Sequence, residues 1–394
     1  MASTETNPRG ALDGVRVIDL SRVLAGPLCT QMLADHGANV IKIEPPTGDE
    51  TRRLGPPFDR HGDAAYFSAV NRGKRSVCLD LAQPSDRGVL QGLLKDADVL
   101  VENFLPGTMK RWELDEATLA AKFPQLIYCS ITGFGADGPL GGLPGYDAVL
   151  QAMCGLMSIN GSPYSGPTKI GVPIVDHLAG YNALTGILLA LLARQRSGKG
   201  QRVEATLFDS ALSLLIPQAA NWMSSGDEPG LLGNAHPNIA PYNSFKSKGG
   251  ELFLGVVNDS QFRRFCEQTD RADLLADERF KSNALRVRNG EALRAEIEKT
   301  LSHQQVSLLC ERLMRSGVPA GRVNSVPAAF ADPHTAHRKM MVECDGYRGL
   351  GIPVKLSQNP GRPGRRPPRL NEHSEEIRIE AGFSADTSTA SSPL

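Results

Sequence analysis

The chain carries no surplus of either charge: Lys and Arg together number 43, and so do Asp and Glu, in 394 residues. That balance excludes a nucleic-acid or membrane-surface partner recruited by charge. The seven cysteines form no Cys-x-x-Cys pair and are odd in number, so neither a disulfide framework nor a zinc site is expected. Several sit in apolar runs, such as Leu-Ile-Tyr-Cys-Ser-Ile at 126–131, and read as buried thiols of a reducing compartment. The opening Met-Ala-Ser-Thr-Glu-Thr-Asn-Pro lacks an apolar core and an Arg-rich amphipathic pattern, so no export signal is expected and the location reads as cytoplasmic. No Gly-x-Ser-x-Gly elbow marks a serine hydrolase. The eight histidines offer no i, i+4 pair with a nearby carboxylate, so no catalytic metal is expected. The apolar stretch 178–193 is short for a membrane span and carries Asn182 and Thr185, which favours a buried helix. There are no internal repeats.

Glycine (40) and proline (27) are abundant, so many tight turns are expected in an otherwise ordinary globular composition. The length suits two domains. The N-terminal half alternates β-branched runs (15–20, 39–43, 77–81, 98–101, 126–131, 202–205) with helical segments (27–36, 85–96, 147–157, 176–193, 209–215). Strands spaced by helices predict an α/β fold, Rossmann-like, with a parallel sheet covered on both faces. The character changes near 222. One strand (252–257) and charged amphipathic helices (290–301, 304–316) predict a smaller α+β domain. The expected division is 1–222 for the large domain, 223–335 for the small one, and 336–394 for a return to the large domain and a tail. A β-like segment is expected at 344–354. The basic stretch 361–369 reads as solvated chain lying along a partner, and 384–394 as disordered.

Asp176 stands out. Gly-Val-Pro-Ile-Val (171–175) precedes it, and a long uncharged helix follows. A carboxylate in the first turn of a core helix is either a cap or a nucleophile. Gly-Phe-Gly-Ala-Asp-Gly (133–138) matches a dinucleotide fingerprint, but Pro139 and further glycines follow where a helix must start, so no nicotinamide or flavin is expected. Ser-Arg-Val-Leu-Ala-Gly-Pro (21–27), a strand-to-helix turn, suits a phosphate or thioester oxygen, or is a bare helix start. Val-Glu-Asn-Phe-Leu-Pro-Gly-Thr-Met-Lys-Arg (101–111) offers an aromatic ring, an amide and a base for a nucleotide. Asn-Arg-Gly-Lys-Arg-Ser (71–76) is a basic cluster or a solvated loop.

These segments, with Gly-Ala-Asn-Val-Ile-Lys-Ile-Glu-Pro (37–45), Ser-Ile-Thr-Gly-Phe-Gly (130–135), Gly-Tyr-Asp (145–147) and Ser-Gly-Lys-Gly-Gln (197–201), resemble the class III CoA-transferase (CaiB/BaiF) family over about residues 11–380. The resemblance implies a CoA-thioester enzyme and an interlaced homodimer. It implies Asp176 as nucleophile. Leu24, Ala25, Lys42, Leu79, Asp80, Asn103, Phe104 and Arg111 would then hold coenzyme A, with Tyr146 and Asp147 at its thioester end. A free aspartate titrates near about 3.9, so Asp176 is expected to be ionised at neutral pH. Gly-Leu-Leu-Gly-Asn-Ala-His (230–236) is the candidate closing loop. The segments 49–58 and 236–245 look most like the succinyl-CoA:dicarboxylate (glutarate-type) branch. Arg22, Arg52 and His236 are candidates for the acid substrate. An α-methylacyl-CoA racemase is the runner-up, but the resemblance places its His at Tyr146 and its Glu near Asn258. The Gly-run loop of formyl-CoA:oxalate transferases is missing. A non-catalytic CoA-binding module is the reading from another class.

Overall fold

The β-branched runs of the N-terminal half build a six-stranded parallel sheet. In the computed structural model, which describes residues 10–384, these strands are β1 (Arg16–Asp19), β2 (Asn39–Glu44), β3 (Arg75–Cys78), β4 (Val99–Glu102), β5 (Ile127–Thr132) and β6 (Arg202–Thr206), in the order β3-β2-β1-β4-β5-β6. The connecting helices are α1 (Ala25–Asp35), α2 (Ala65–Ala69), α3 (Pro84–Leu94), α4 (Asp147–Met153) and α5 (Ile174–Ser197), with α6 (Leu207–Ser213) after β6. One face of the sheet packs Val17, Val40, Val101 and Cys129 against α1 and α5; the other packs Ile18, Ile41 and Leu100 against α3. Strands buried on both faces read as near-continuous apolar runs, and that is why they were legible. The exception is β3, expected at 77–81 and found two residues earlier, because Arg75 and Ser76 are polar.

Gly180 decides how α5 meets α1. A Cβ there would stand 2.7 Å from the Ala25 carbonyl oxygen. Only glycine lets the two helices approach this closely, one turn beyond Asp176. The 24-residue α5 is long and apolar enough to cross a membrane, and only a third of its apolar window is buried.

The second unit comprises Met157–Lys169 and Pro217–Asp332. It holds α7 (Gln218–Ser225), an antiparallel sheet of β7 (Tyr242–Ser247), β8 (Gly250–Gly255) and β9 (Ala320–Arg322), and helices α8 (Asp259–Gln268), α9 (Gly290–Leu301) and α10 (Val306–Arg315). Sequence analysis expected one strand here. It missed β7, whose Tyr-Asn-Ser-Phe-Lys-Ser is half polar, and β9, which is three residues long. The expected boundary at 222 falls inside α7. Residues 157–169 join the second unit because their hairpin receives the Gly233 N–H at Gly161 O, 2.8 Å. At the other end, the helix Pro333–His337 crosses the boundary expected at 335.

From Pro333 the chain returns to the first unit. The 361–369 stretch, expected to be solvated chain, makes backbone bonds within its own chain. Arg362 N–H donates to Asp35 O and Gly73 N–H to Arg365 O, each at 2.8 Å, so the stretch packs on α1 and on the segment before β3. Helix α11 (Ser374–Glu380) then packs on β3 and α3. Residues 385–394, expected to be disordered, lie outside the described residues. All seven cysteines are free thiols.

Candidate active site

Parallel strands deliver their following loops to one edge of the sheet. Here the loops after β1, β4 and β5 and the start of α5 enclose a cleft of about 210 Å³ in the first unit. Of the residues singled out in the sequence, Arg22, Leu24, Ala25, Asn103, Phe104, Tyr146 and Asp176 line it.

The turn Ser21–Leu24 is held from several sides. Asn103 accepts the Arg22 N–H at 2.8 Å and donates to the Arg22 carbonyl at 2.7 Å. Lys42 Nζ donates to Ser21 O at 2.8 Å. Between them Val23 adopts φ 68°, a conformation that a β-branched residue reaches only at a cost of about 1–3 kcal/mol. Helix α1 then starts at Leu24 with no side-chain cap. First-turn amides have no partner inside their own helix, so this start supplies the cleft wall with backbone donors. The Gly133 loop forms turns and no helix, as its proline requires. A Cβ on Gly133 would come within 2.9 Å of Gly145, so two backbones pass in contact and set Tyr146 at the cleft mouth.

Asp176 is the third residue of α5, and it is not the cap. Pro173 occupies the cap position without a side-chain bond. Asp147 caps from α4, accepting the Val175 N–H at 3.0 Å. Among the described residues nothing donates to the Asp176 carboxylate. Burial, then the neighbouring Asp147 charge, push its pKa up to about 7. The expectation of a fully ionised Asp176 at neutral pH is therefore corrected: the unliganded group titrates across neutrality. Tyr66 on α2 was missed. Burial and the carboxylates of Asp176, Asp147 and Asp49 push its phenol up, so it lies within their field. Nothing in Ala-Tyr-Phe marks it in the sequence.

Several expected site residues have other work. Lys42 is fully buried and pairs with Asp49 at 3.1 Å. Arg52 is 5% exposed; it grips Glu44 at 2.7 Å and Asp63 at 3.0 Å, and stacks on Phe67 at 3.6 Å. Buried and held by these partners, neither lines the cleft. Lys74 pairs with Asp19 at 3.0 Å, and Arg72 with Asp35 at 2.7 Å, so the 71–76 cluster is buried rather than solvated. Burial opposes ionisation of Asp19, but Lys74, Lys42 and the Ser21 and Thr30 hydroxyls outweigh it and hold the carboxyl at about 2. Leu79 is core, and Asp80 is engaged in the turn before α3, accepting from Ala82 N–H at 3.0 Å. Arg111 bonds Thr108 at 3.2 Å, and none of these three lines the cleft. Asp147 is 8% exposed and lies behind the wall. His236 belongs to the second unit, edge-on to Tyr242 at 5.3 Å in a separate cleft there. Among the described residues no group of three or more His, Cys, Asp or Glu could hold a metal ion.

The sequence model described as "CoA-transferase family III" matches residues 12–374. A succinate–glutarate CoA-transferase of Agrobacterium fabrum is 42% identical, over 95% of this chain and 96% of its own length. An acetyl-CoA:oxalate CoA-transferase of Acetobacter aceti is 40% identical, over 96% and 97%. The crystal structure of a CAIB/BAIF family protein from Brucella suis superposes with a TM-score of 0.86 at 42% identity, covering 95% of this chain and 100% of that one. Likeness of sequence and of backbone over the same near-complete length leads to one assignment: the chain belongs to CoA-transferase family III and is a CoA-transferase.

Proposed function

We propose that the enzyme moves CoA from succinyl-CoA to a dicarboxylic acid such as glutarate, with Asp176 as covalent nucleophile. The observation that carries this reading is a cleft-lining carboxylate to which no described residue donates a hydrogen bond, beside an uncapped helix start. An Asp176 oxygen attacks the thioester carbonyl, the C–S bond breaks, and CoA leaves as thiolate from a mixed anhydride. The thiolate then attacks the aspartyl carbonyl, which expels succinate and leaves an aspartyl-CoA thioester. The acceptor carboxylate displaces the thiolate to give a second anhydride. Attack of the thiolate on its acyl carbonyl yields the new acyl-CoA and restores the Asp176 carboxylate. No proton is gained or lost over the cycle. Backbone N–H groups at Leu24 and Ala25 are suited to the oxyanions.

Arg22 is the remaining cation for the acceptor's distal carboxylate. It lines the cleft, and its one ion pair, to Glu50 at 3.2 Å, is part-exposed and so easily exchanged. Among the described residues its buried Nε has no hydrogen-bond partner, and its guanidinium sits 5.3 Å from the Phe104 ring centre. The glutarate and oxalate in the relatives' names are both dicarboxylates, which supports this class. Nothing favours racemase chemistry: Asn258 is the cap of α8, accepting from Gln261 N–H at 2.9 Å.

An interlaced homodimer belongs to this reading. Its support is the stripe Tyr181, Leu188, Leu189 and Leu192 along one side of α5, which a single chain leaves exposed.

The test is mass spectrometry of the protein after incubation with succinyl-CoA, followed by a panel of acceptor acids read as new CoA esters. A covalent adduct on the Asp176 peptide is expected, with the fastest turnover on C4–C6 dicarboxylates. Full activity in Asp176→Ala would sink the mechanism.

A further inference from the structure

Helix α5 borrows its cap. Pro173 brings no side-chain acceptor to the cap position, and the carboxylate of Asp176, the acidic residue of the first turn, makes no hydrogen bond among the described residues. Asp147 supplies the acceptor from α4. Its Oδ1 takes the Val175 N–H at 3.0 Å, and its Oδ2 takes Gln151 Nε2 at 2.7 Å. Gln151 Oε1 in turn accepts the Ile170 N–H at 2.8 Å. One buried carboxylate thus ties α4 to the first turn of α5, and through Gln151 to the chain that leads into it.

From this arrangement, and resting on the reading of Asp176 as nucleophile, we infer that Asp147 is its positioning residue. It caps α5 in Asp176's place, leaves that carboxylate free for a carbonyl carbon, and holds a second negative charge behind it.

The charge has a chemical use. Acylation of Asp176 replaces a carboxylate by a neutral anhydride, which relieves the repulsion from Asp147. The pair therefore favours the acylated enzyme over the free one. The same repulsion accounts for part of the rise in the Asp176 pKa. The other groups that face Asp176 are few. Tyr66 approaches from α2, and the cleft wall adds Arg22, Glu50 and Tyr146. From α1, β5 and α6 the wall is uncharged, with Ala25, Ile131, Thr132 and Leu207. On α5 itself, the His177 ring is held to Pro173 O at 2.8 Å. The positive end of α5 acts the other way.

The experiment follows the Asp176 carboxyl by carbon-13 NMR across pH 4–9 in the full-length enzyme, with the signal assigned by its loss in Asp176→Asn. Adduct formation with succinyl-CoA is measured over the same pH range. Asp147→Asn keeps an acceptor for Val175 but removes the charge. Its Asp176 midpoint is expected to fall by about one unit or more. Asp147→Glu is expected to keep it near the wild-type value. If the Asn variant does not fold, Asp147→Ser makes the same comparison. An unchanged midpoint in the neutral variants, with adduct formation intact, would reduce Asp147 to a structural cap and overturn the inference. A shifted midpoint without any adduct in the wild type would instead overturn the nucleophile reading, and the positioning role with it.

Discussion

At Asp176 reactivity and stability pull in opposite directions. Its folded pKa of about 7 lies above the unfolded value of about 3.9. Between those values the folded protein binds more protons than the unfolded one, so stability falls as pH rises through pH 4–7 and stays lower above it. Asp176→Asn removes that loss. We expect the variant to be inactive yet more stable at pH 8, by roughly 2–4 kcal/mol, with no gain at pH 4. Urea unfolding at the two pH values checks this, and equal differences at both would refute it. At Arg22 the expectation concerns selectivity. A charge-assisted hydrogen bond contributes about 1.5–3 kcal/mol, so Arg22→Met should raise KM for glutarate on the order of 10–100-fold. Monocarboxylic acceptors should be far less affected, and steady-state kinetics on matched acid pairs decides.

Among elements, the approach of α1 to α5 sets the cleft. Gly180→Ala would drive a methyl onto the Ala25 carbonyl. Overpacking of this kind costs about 1–3 kcal/mol, and here it also moves Asp176 relative to the α1 start. We expect acyl-enzyme formation to drop at least tenfold, with the protein still folded by circular dichroism. Beneath the cleft, the buried pairs on β1, β2 and the turns after them predict acid sensitivity. Burial opposes ionisation of Asp19, Glu44 and Asp49, yet their Lys and Arg partners and hydrogen bonds lower all three pKa values. Their stabilisation is complete above pH ~4 and is lost as pH falls toward 2. Arg52→Met should cost about 3–5 kcal/mol by stranding Glu44, while leaving KM for acyl-CoA unchanged. These elements also show what a sequence reveals. Pro173 before an apolar run announced the α5 start and hence the place of Asp176. The roles of Lys42 and Arg52 were hidden, because their partners come from other strands and turns. A faint signal was present: Lys42 and Glu44 stand two apart in an apolar strand, so they share one face. The cap from Asp147 was also beyond local reading, since it crosses 28 residues.

In the whole molecule, a middle segment forms one unit while both ends of the chain build the other. The apolar stripe on α5 belongs to the first unit, and it makes a prediction about assembly. Leu189 and Leu192 are 62% and 57% exposed. If the proposed homodimer forms, the double variant Leu189→Asp with Leu192→Asp should sediment more slowly than the parent, as a monomer; an unchanged sedimentation coefficient would remove α5 from the proposed interface. The change in character near 222 falls shortly after Pro217, where the long segment of the second unit begins. Composition does not mark the joint at 157–169, whose hairpin accepts the Gly233 N–H at Gly161 O.

The cover over β3 has a further consequence, one of timing. The Cys78 N–H donates to Asn371, a partner made 293 residues later. A ribosome adding ~5–20 residues per second leaves that strand edge open for roughly 15–60 s. During that interval the whole middle unit is synthesised, and an unpaired edge strand is a template for wrong partners. Slow translation through 217–332 would lengthen the exposure, so the yield of soluble enzyme is tied to how quickly the chain beyond Pro333 arrives.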